Sequence, residues 1–197
     1  MFTGIVETIG SIASAEIRDG DVRLVVEARG YFRGARLGDS IAVSGICLTA
    51  VKVSKDRFSA DLSAETLAAT TASQWRVGMP VNLERSLTPA KPLGGHLVSG
   101  HVDGVGKLVK QRDVGGARLM QFEVPRTLAR YVARKGSICV DGVSLTVNAV
   151  AKNRFDLMVI PHTLGHTTLG RLQAGAAVNL EVDLIARYLE RLLAARE

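Results

Sequence analysis

One histidine stands where the sequence's own internal repeat has an isoleucine. Leu97–Asp103 aligns with Met1–Glu7, and within this alignment His101 matches Ile5. Histidine exchanges a proton near neutral pH, so His101 is a candidate acid–base group. The alternative is a histidine that only makes structural hydrogen bonds. The asymmetry between the two copies favours the chemical interpretation.

A second asymmetric position pairs a thiol with a hydroxyl. Ser40–Thr49 aligns with Ser137–Thr146, which places Cys47 opposite Ser144. Both groups can add reversibly to an electrophilic carbon, directly or by holding a water molecule. For Cys47 the alternative is a small buried apolar residue.

Further positions are less informative. Gly38 aligns with Lys135, and Ser86 with Asp183, a candidate acid or the N-cap of a final helix. Cys139 aligns with an alanine inside an apolar strand, and we expect it to fill a core. His96 follows two glycines and is expected to position the second copy.

A metal site is not expected at the remaining histidines. His162 and His166 stand four positions apart, a spacing that can bind a metal on one helix face. Gly165 lies between them, and no carboxylate or thiolate cluster is nearby.

These residues belong to a tandem duplication. Arg57–Glu84 matches Arg154–Glu181 without a gap, including a shared Val-Asn-Leu-Glu segment. The domains predicted are residues 1–96, residues 97–183 and a tail of residues 184–197. A Pro/Gly-rich segment at 88–95 is typical of a domain boundary.

Each copy is predicted to be all-β. Short β-branched runs alternate with glycine turns, which favours a small closed antiparallel barrel. One or two helical turns are expected at Ala64–Gln74 and at Pro161–Leu172. The strands predicted are Val22–Ala28, Ser40–Val43, Leu48–Val53, Val81–Glu84, Arg118–Val124, Ser137–Val140, Leu145–Val150 and Val178–Val182.

The tail from Asp183 onward has high helix propensity. Ile185, Leu189 and Leu192 form an apolar stripe among charged residues. This stripe either packs on its own barrel or joins chains, since about two heptads are not stable alone.

Composition limits the functional classes. The net charge of +6 and pI of about 9.7 come from scattered Lys and Arg without an aromatic-basic stripe, so nucleic acid is not an expected partner. No apolar run approaches the roughly 18 residues of a membrane span, and the N-terminus has no signal-peptide pattern. With two cysteines and no CxxC, a cytoplasmic location is expected.

The motifs MFTGIVE, SGICLT, GGHLVSGH, DGVSLT, IPHTLGHTTLG and VNLE together resemble the alpha-type riboflavin synthase family. The resemblance runs from Met1 to the final helix. It implies two six-stranded Greek-key barrels, each binding one 6,7-dimethyl-8-ribityllumazine, in a homotrimer that packs through the C-terminal helix. It implies no metal or cofactor, and an association with lumazine synthase is a further expectation.

The resemblance also implies the substrate contacts. In the first copy these are Gly4, Ile5, Val6, Ser40, Cys47, Leu48, Thr49, Asp61, Leu62, Ser63, Ala64, Glu65 and Thr66. In the second copy they are Gly100, His101, Val102, Lys135, Ser144, Leu145, Thr146, Met158, Val159, Ile160, Pro161, His162 and Thr163. His162 departs from the family pattern, which has an acidic residue there, as Glu65 is in the first copy.

The implied reaction explains why two copies would differ. One lumazine loses a proton from its acidic C7 methyl group, and a nucleophile adds to C7 of the other. We expect His101 to take the proton, Cys47 or Ser144 to supply the nucleophile, and Asp183 to lie nearby. His101 is expected to share its surroundings with Ser144 and Lys135, and Ile5 to lack them.

Three other functions fit parts of the pattern. A lumazine- or flavin-binding antenna protein would keep the barrels without turnover, but would not be expected to keep His101, Ser144 and Cys47 together. A nucleic-acid-binding barrel is favoured only by the pI. A flavin reductase barrel lacks support from any G-x-G-x-x-G after a strand.

Overall fold

The computed structural model describes residues 1–18 and 21–195. The first repeat consists of seven strands, a short α-helix and a 3₁₀ turn at Thr71–Gln74. Its elements are β1 (Thr8–Arg18), β2 (Asp21–Glu27), β3 (Ser40–Val43), β4 (Ile46–Thr49), β5 (Lys52–Val53), β6 (Arg57–Leu62), α1 (Ala64–Ala69) and β7 (Pro80–Arg85).

The second repeat has six strands and is followed by the final helix. Its elements are β8 (Gly104–Val114), β9 (Ala117–Glu123), β10 (Ser137–Val140), β11 (Val143–Ala151), β12 (Arg154–Val159), α2 (Pro161–His166), β13 (Ala177–Val182) and α3 (Leu184–Ala194). Two 3₁₀ turns lie at Ala129–Tyr131 and Thr168–Arg171. The last two residues of the predicted tail lie outside the described residues.

The second repeat is a closed antiparallel barrel in the order β10-β11-β12-β9-β8-β13. Because β9 pairs with β12 and β10 with β13, the connections are those of a Greek key. This confirms the predicted architecture.

The first repeat differs in strand number. Its sheet runs β4-β3-β7-β1-β2-β6-β5, and its two ends, β4 and β5, are consecutive along the chain. The segment that corresponds to β11 is interrupted at Ala50 and Val51, which lie between the end of β4 and the start of β5. The prediction of six strands therefore holds for the second repeat, and the first has seven.

Each repeat has its own apolar core, produced by strand alternation. In β12, Phe155, Leu157 and Val159 are buried, while Asp156 and Met158 between them are more exposed. The predicted strands are present within a few residues, although β1, β6, β8 and β12 had not been predicted.

A third, smaller core joins the repeats. It contains Phe2, Ala42, Val98 and Cys139, and a two-way backbone bridge links Phe2 with Val98 (N–O distances 2.7 and 3.1 Å). The expectation that Cys139 fills a core is confirmed, and its burial raises the pKa of the thiol well above its usual range.

Two asparagines tie the repeats together about a pseudo-two-fold axis. The Asn82 side chain accepts from the Thr168 amide and donates to Asp141 O, both at 2.8 Å. Asn179 repeats this pattern with the Thr71 amide at 2.8 Å and Ser44 O at 2.9 Å. The asparagine of the repeated Val-Asn-Leu-Glu segment thus fixes one barrel against the other.

No helix within residues 1–18 and 21–195 has the length and apolar character required to cross a membrane.

Candidate active site

The repeats exchange their N-terminal segments. The Ser144 amide donates to Gly4 O at 2.7 Å, and the Cys47 amide donates to Gly100 O at 2.8 Å. Val6 packs against the core of the second repeat, and Val102 against the core of the first. Each repeat therefore offers a surface built from its own strands and the other repeat's N-terminal segment.

This exchange defines two half-sites. The Cys47 half-site contains Cys47 and Gly100–Val102, and the Ser144 half-site contains Ser144, Gly4–Val6 and His96. The expected grouping of His101 with Ser144, and the expectation that Ile5 lies apart from Ser144, are therefore wrong. Sequence alignment matches equivalent residues, but it does not show which repeat a terminal segment packs on.

Glycine is required at both crossing points. Gly4 and Gly100 have φ of +72° and +79°, which side-chain-bearing residues rarely adopt. A Cβ on Gly4 would lie 2.6 Å from Ser144 Cβ, and one on Gly100 would lie 2.6 Å from Cys47 Cβ. Any side chain here would displace the nucleophile candidates.

Two buried glutamates hold the exchanged segments. Glu84 accepts from the amides of Thr3 (2.8 Å) and Gly4 (3.0 Å). Glu181 accepts from the amides of Ser99 (2.6 Å) and Gly100 (2.9 Å). Burial raises the pKa of Glu181, and the hydrogen bonds from Ser99 and Gly100 oppose that rise. Sequence reasoning missed these residues, although the repeated Val-Asn-Leu-Glu segment was the signal.

In the Cys47 half-site, the thiol is half-buried on β4 and the His101 imidazole is exposed. Thr49 is exposed on the same strand, and Ser40 is its cross-strand partner. Cys47 and Thr49 thus lie on the same face of β4, and the backbone of Gly100, the residue before His101, contacts this strand.

In the Ser144 half-site, His96 Nδ1 lies 2.7 Å from Ser144 Oγ. Its Nε2 is buried and has no hydrogen-bond partner among the residues that the structure describes. Burial lowers the pKa of His96, and the charge of Asp183 opposes this shift. A neutral imidazole against a serine hydroxyl can accept its proton.

Asp183 has the capping role considered for it. Its carboxylate accepts from the Ile185 amide at 3.0 Å at the start of α3. Because its charge also acts on His96, the helix cap and the Ser144 half-site are electrostatically linked.

Lys135 has a strained backbone at the edge of the second barrel. Its φ is +69°, a left-handed conformation that Gly38 adopts in the first repeat at +85°. Its amide donates to Val147 O at 2.8 Å, one residue beyond Thr146. Lysine is less suited than glycine to this backbone conformation.

Several predicted contact residues face the barrel cores. The side chains of Leu48, Leu62 and Val159 are at most 4% exposed and pack inside their barrels. Leu145 is half-buried against the second core. Strand alternation directs these side chains inward, so only their backbone groups are available to a ligand.

The remaining predicted residues lie at the ends of β6 and β12 and in the short helices. Asp61 is ion-paired with Arg23 on β2. Ser63 caps α1, accepting from the Thr66 amide at 3.2 Å. In the second repeat, Asn148 Oδ1 accepts from the Met158 amide at 2.8 Å. The exposed residues Ala64, Glu65, Ile160, Pro161 and His162 and the half-buried Thr163 surround these positions.

The paired histidines of α2 stack on each other. The rings of His162 and His166 lie 4.1 Å apart, and His166 Nδ1 is 2.8 Å from His162 O. Within the described parts of the chain, no three His, Cys, Asp or Glu residues are grouped as a metal site would require.

The fold and the two half-sites define a class of protein. The family model described as "Lumazine binding domain" matches residues 3–86 and 99–183, which makes this a protein of two lumazine-binding domains.

Curated relatives are more specific. The chain is 45% identical over 194 residues to the riboflavin synthase of Photobacterium phosphoreum, covering 98% of this chain and 89% of the relative. It is 44% identical over 197 residues to that of Mycobacterium tuberculosis, covering 98% of each. The chain belongs to the riboflavin synthase family, and it is an enzyme.

Solved structures agree on the fold. LumP complexed with riboflavin superposes with a TM-score of 0.84 at 26% identity, covering 92% of this chain and 99% of LumP. LumP complexed with 6,7-dimethyl-8-(1'-D-ribityl) lumazine gives 0.83 at 24% identity, with the same coverage.

Proposed function

We propose that this enzyme converts two molecules of 6,7-dimethyl-8-ribityllumazine into riboflavin and 5-amino-6-(D-ribitylamino)uracil, the final step of riboflavin biosynthesis. One lumazine gives a four-carbon unit and the other receives it. The two products together contain all atoms of the two substrates, so the reaction needs no added oxidant or reductant. The observation that carries this proposal is the pair of equivalent half-sites with different reactive groups in matching positions.

The two half-sites have complementary chemistry. In the Cys47 half-site, His101 accepts a proton from the C7 methyl group, whose anion is stabilised by the ring. In the Ser144 half-site, the Ser144 hydroxyl or a water held by it adds to C7 of the second lumazine, and neutral His96 receives the proton. The 2.7 Å distance between His96 Nδ1 and Ser144 Oγ supports this division.

Lumazine binding combines main-chain and side-chain groups. The carbonyls and ring nitrogens of a lumazine can be recognised by backbone groups of the exchanged segments and of β4 and β11. The ribityl chains are bound by the residues that follow β6 and β12. Lys135, Asp61 and Glu65 are charged residues proposed as contacts.

The catalytic pair is proposed to form between chains of a homotrimer. No residue of α3, which is described along its whole length, is buried. Its apolar stripe is left open, with Ile185, Leu189 and Leu192 each more than half exposed. Burying this stripe against other chains can bring the first repeat of one chain against the second repeat of its neighbour. Two rings held face to face react as one unit, worth about 7–11 kcal/mol of barrier when well aligned.

A cytoplasmic location and an association with lumazine synthase belong to the same proposal. Both cysteines are free thiols, which fits a reducing compartment.

The decisive assay supplies 6,7-dimethyl-8-ribityllumazine alone and follows riboflavin and pyrimidinedione, which are expected in equal amounts. Deleting residues from Ile185 onward should give smaller species by sedimentation, with little activity. A protein that binds lumazine stoichiometrically without turnover would be a carrier instead, and a fully active truncated monomer would refute the intersubunit site.

A further inference from the structure

Each exchanged segment ends in an acidic residue that anchors it to its own barrel. Glu7 in the first repeat and Asp103 in the second occupy equivalent positions, immediately after Val6 and Val102. The Glu7 amide donates to Leu83 O at 2.9 Å, and the Asp103 amide donates to Leu180 O at 2.8 Å. The two anchors therefore share one backbone geometry.

Their carboxylates are also held alike by the last strand of each repeat. Glu7 accepts from the Arg85 amide at 3.2 Å, and Asp103 accepts from the Val182 amide at 2.6 Å. Arg85 and Val182 are equivalent positions of β7 and β13. The Asp103 side chain is only 3% exposed, so its charge requires a partner.

The basic residues that pair with these two carboxylates come from different parts of the chain. Glu7 is paired with Lys91 of the inter-repeat connection, with 2.8 Å between Nζ and Oε1. Asp103 is paired with Arg187, one turn into α3. In the second repeat the anchor is therefore clamped by the C-terminal helix.

This clamp adjoins the proposed proton acceptor. A cavity of about 240 Å³ lies between the exchanged segment and α3, and its lining includes His101, Asp103, Glu181 and Arg187. Glu181 holds the segment on one side of His101 through the amides of Ser99 and Gly100. Asp103 holds it on the other side, two residues further along.

We propose that Arg187 is a positioning residue for His101, acting through Asp103. The helix that presents the apolar stripe to other chains thereby also sets the position of the imidazole in the Cys47 half-site. Lys91 performs the equivalent task for Ile5 and the Ser144 half-site. This inference rests on the role proposed for His101.

The test compares variants of the full chain. Arg187→Met should lower kcat by about 10- to 100-fold, because a displacement of about 1 Å can cost that much when reacting groups must be aligned. KM and sedimentation should change little. Deuterium exchange of the C7 methyl group, followed by NMR, should slow in parallel with kcat.

Three further variants make the test specific. Arg187→Lys keeps the charge and should recover part of the lost rate. Asp103→Asn keeps an acceptor for the Val182 amide and should reproduce the loss even if Arg187→Met folds poorly. Arg191→Met, one turn further along α3, is the matched control and should behave as wild type.

Unchanged kcat and exchange in both Arg187→Met and Asp103→Asn would overturn the inference. So would a loss of rate that follows loss of assembly. If His101→Gln leaves kcat and exchange unchanged, the proposed role of His101 fails. If His101→Gln lowers them while Arg187→Met and Asp103→Asn do not, only the positioning role fails.

Discussion

The Cys47 half-site and the Ser144 half-site share a backbone and differ in chemistry. Both are built on a hairpin strand whose amide donates to a left-handed glycine of the other repeat. The first combines a half-buried thiol with an exposed imidazole, whereas the second combines a hydroxyl with a half-buried imidazole 2.7 Å away. The common frame gives two places for the same heterocycle, and the differing side chains give each place a separate task.

The imidazoles of His96 and His101 also differ in burial and in their electrostatic surroundings. His96 is partly buried, and burial lowers its pKa. His101 is exposed beside the carboxylate of Glu181. A histidine kept neutral suits acceptance of a hydroxyl proton, and an exposed one suits exchange with water after taking a methyl proton.

The largest effect is expected from His101→Gln. Turnover should fall by about 10²–10⁴-fold, the usual contribution of a positioned acid–base group, while the fold and most lumazine affinity remain. Deuterium exchange of the C7 methyl group by NMR measures the proton step directly. Adding Ile5→His should not restore the rate, because position 5 lies in the Ser144 half-site, which already contains His96. Unchanged exchange and turnover in His101→Gln would make this histidine structural.

The Ser144–His96 pair should behave as one unit. Ser144→Ala and His96→Gln are each expected to lower turnover by about 10²-fold, and the double variant should be no worse than either alone, since each change removes the same proton transfer. Steady-state kinetics of the three variants with Cys47→Ser as a comparison would measure this. Multiplicative losses would show that the two side chains act independently.

Lys135→Gly should separate stability from activity. Glycine relieves the strained φ of +69°, so the melting temperature should stay equal or rise, while kcat/KM falls by about 10-fold or more. Lys152 also has a positive φ, +56°, at the exposed β11–β12 turn, and Lys152→Gly is the matched control that should leave kcat/KM unchanged. If both variants retain full activity, the lysine side chain at 135 has no part in the reaction.

Substitution of Asp141 is expected to have the smallest effect on turnover. It should instead change how the free energy of unfolding depends on pH. This residue lies where the first repeat has Ser44, and burial raises its pKa to about 7. Because the folded state holds the proton more tightly, the free energy of unfolding falls as pH rises from about 4 to about 7, by up to about 1.4 kcal/mol per pH unit.

Asp141→Asn should remove this dependence while its side-chain oxygen still accepts from the Asn179 amide. The variant should be more stable than wild type at pH 8, and the difference should shrink toward pH 4. Urea unfolding at several pH values measures it. Parallel stability curves for the two proteins would contradict the raised pKa.

Much of this molecule could be predicted from the repeat alone. The matched segments predicted two small β-barrels, and the turns with glycine and the β-branched runs placed most strands correctly. The breaks between apolar strand and short helix, at Ser63 and Ile160, also follow from local patterns. The interruption at Ala50 was not predicted, and local hydrogen bonding does not explain it: the Ala50 amide donates to Asp39 O just as the equivalent Val147 amide donates to Gly136 O, yet β11 is continuous.

By itself, the sequence determined which residues differ between the copies: His101 from Ile5, Cys47 from Ser144 and Lys135 from Gly38. Those differences can be read from the aligned sequences whatever the fold of the chain. Only the tertiary structure decided which of them share a half-site, because each N-terminal segment crosses to the other barrel and pairs there through a single backbone hydrogen bond. The partnership of His96 with Ser144 and the clamp of Arg187 on Asp103 arise in the same way, from residues that are distant along the chain and meet only when the two barrels and the final helix are packed together.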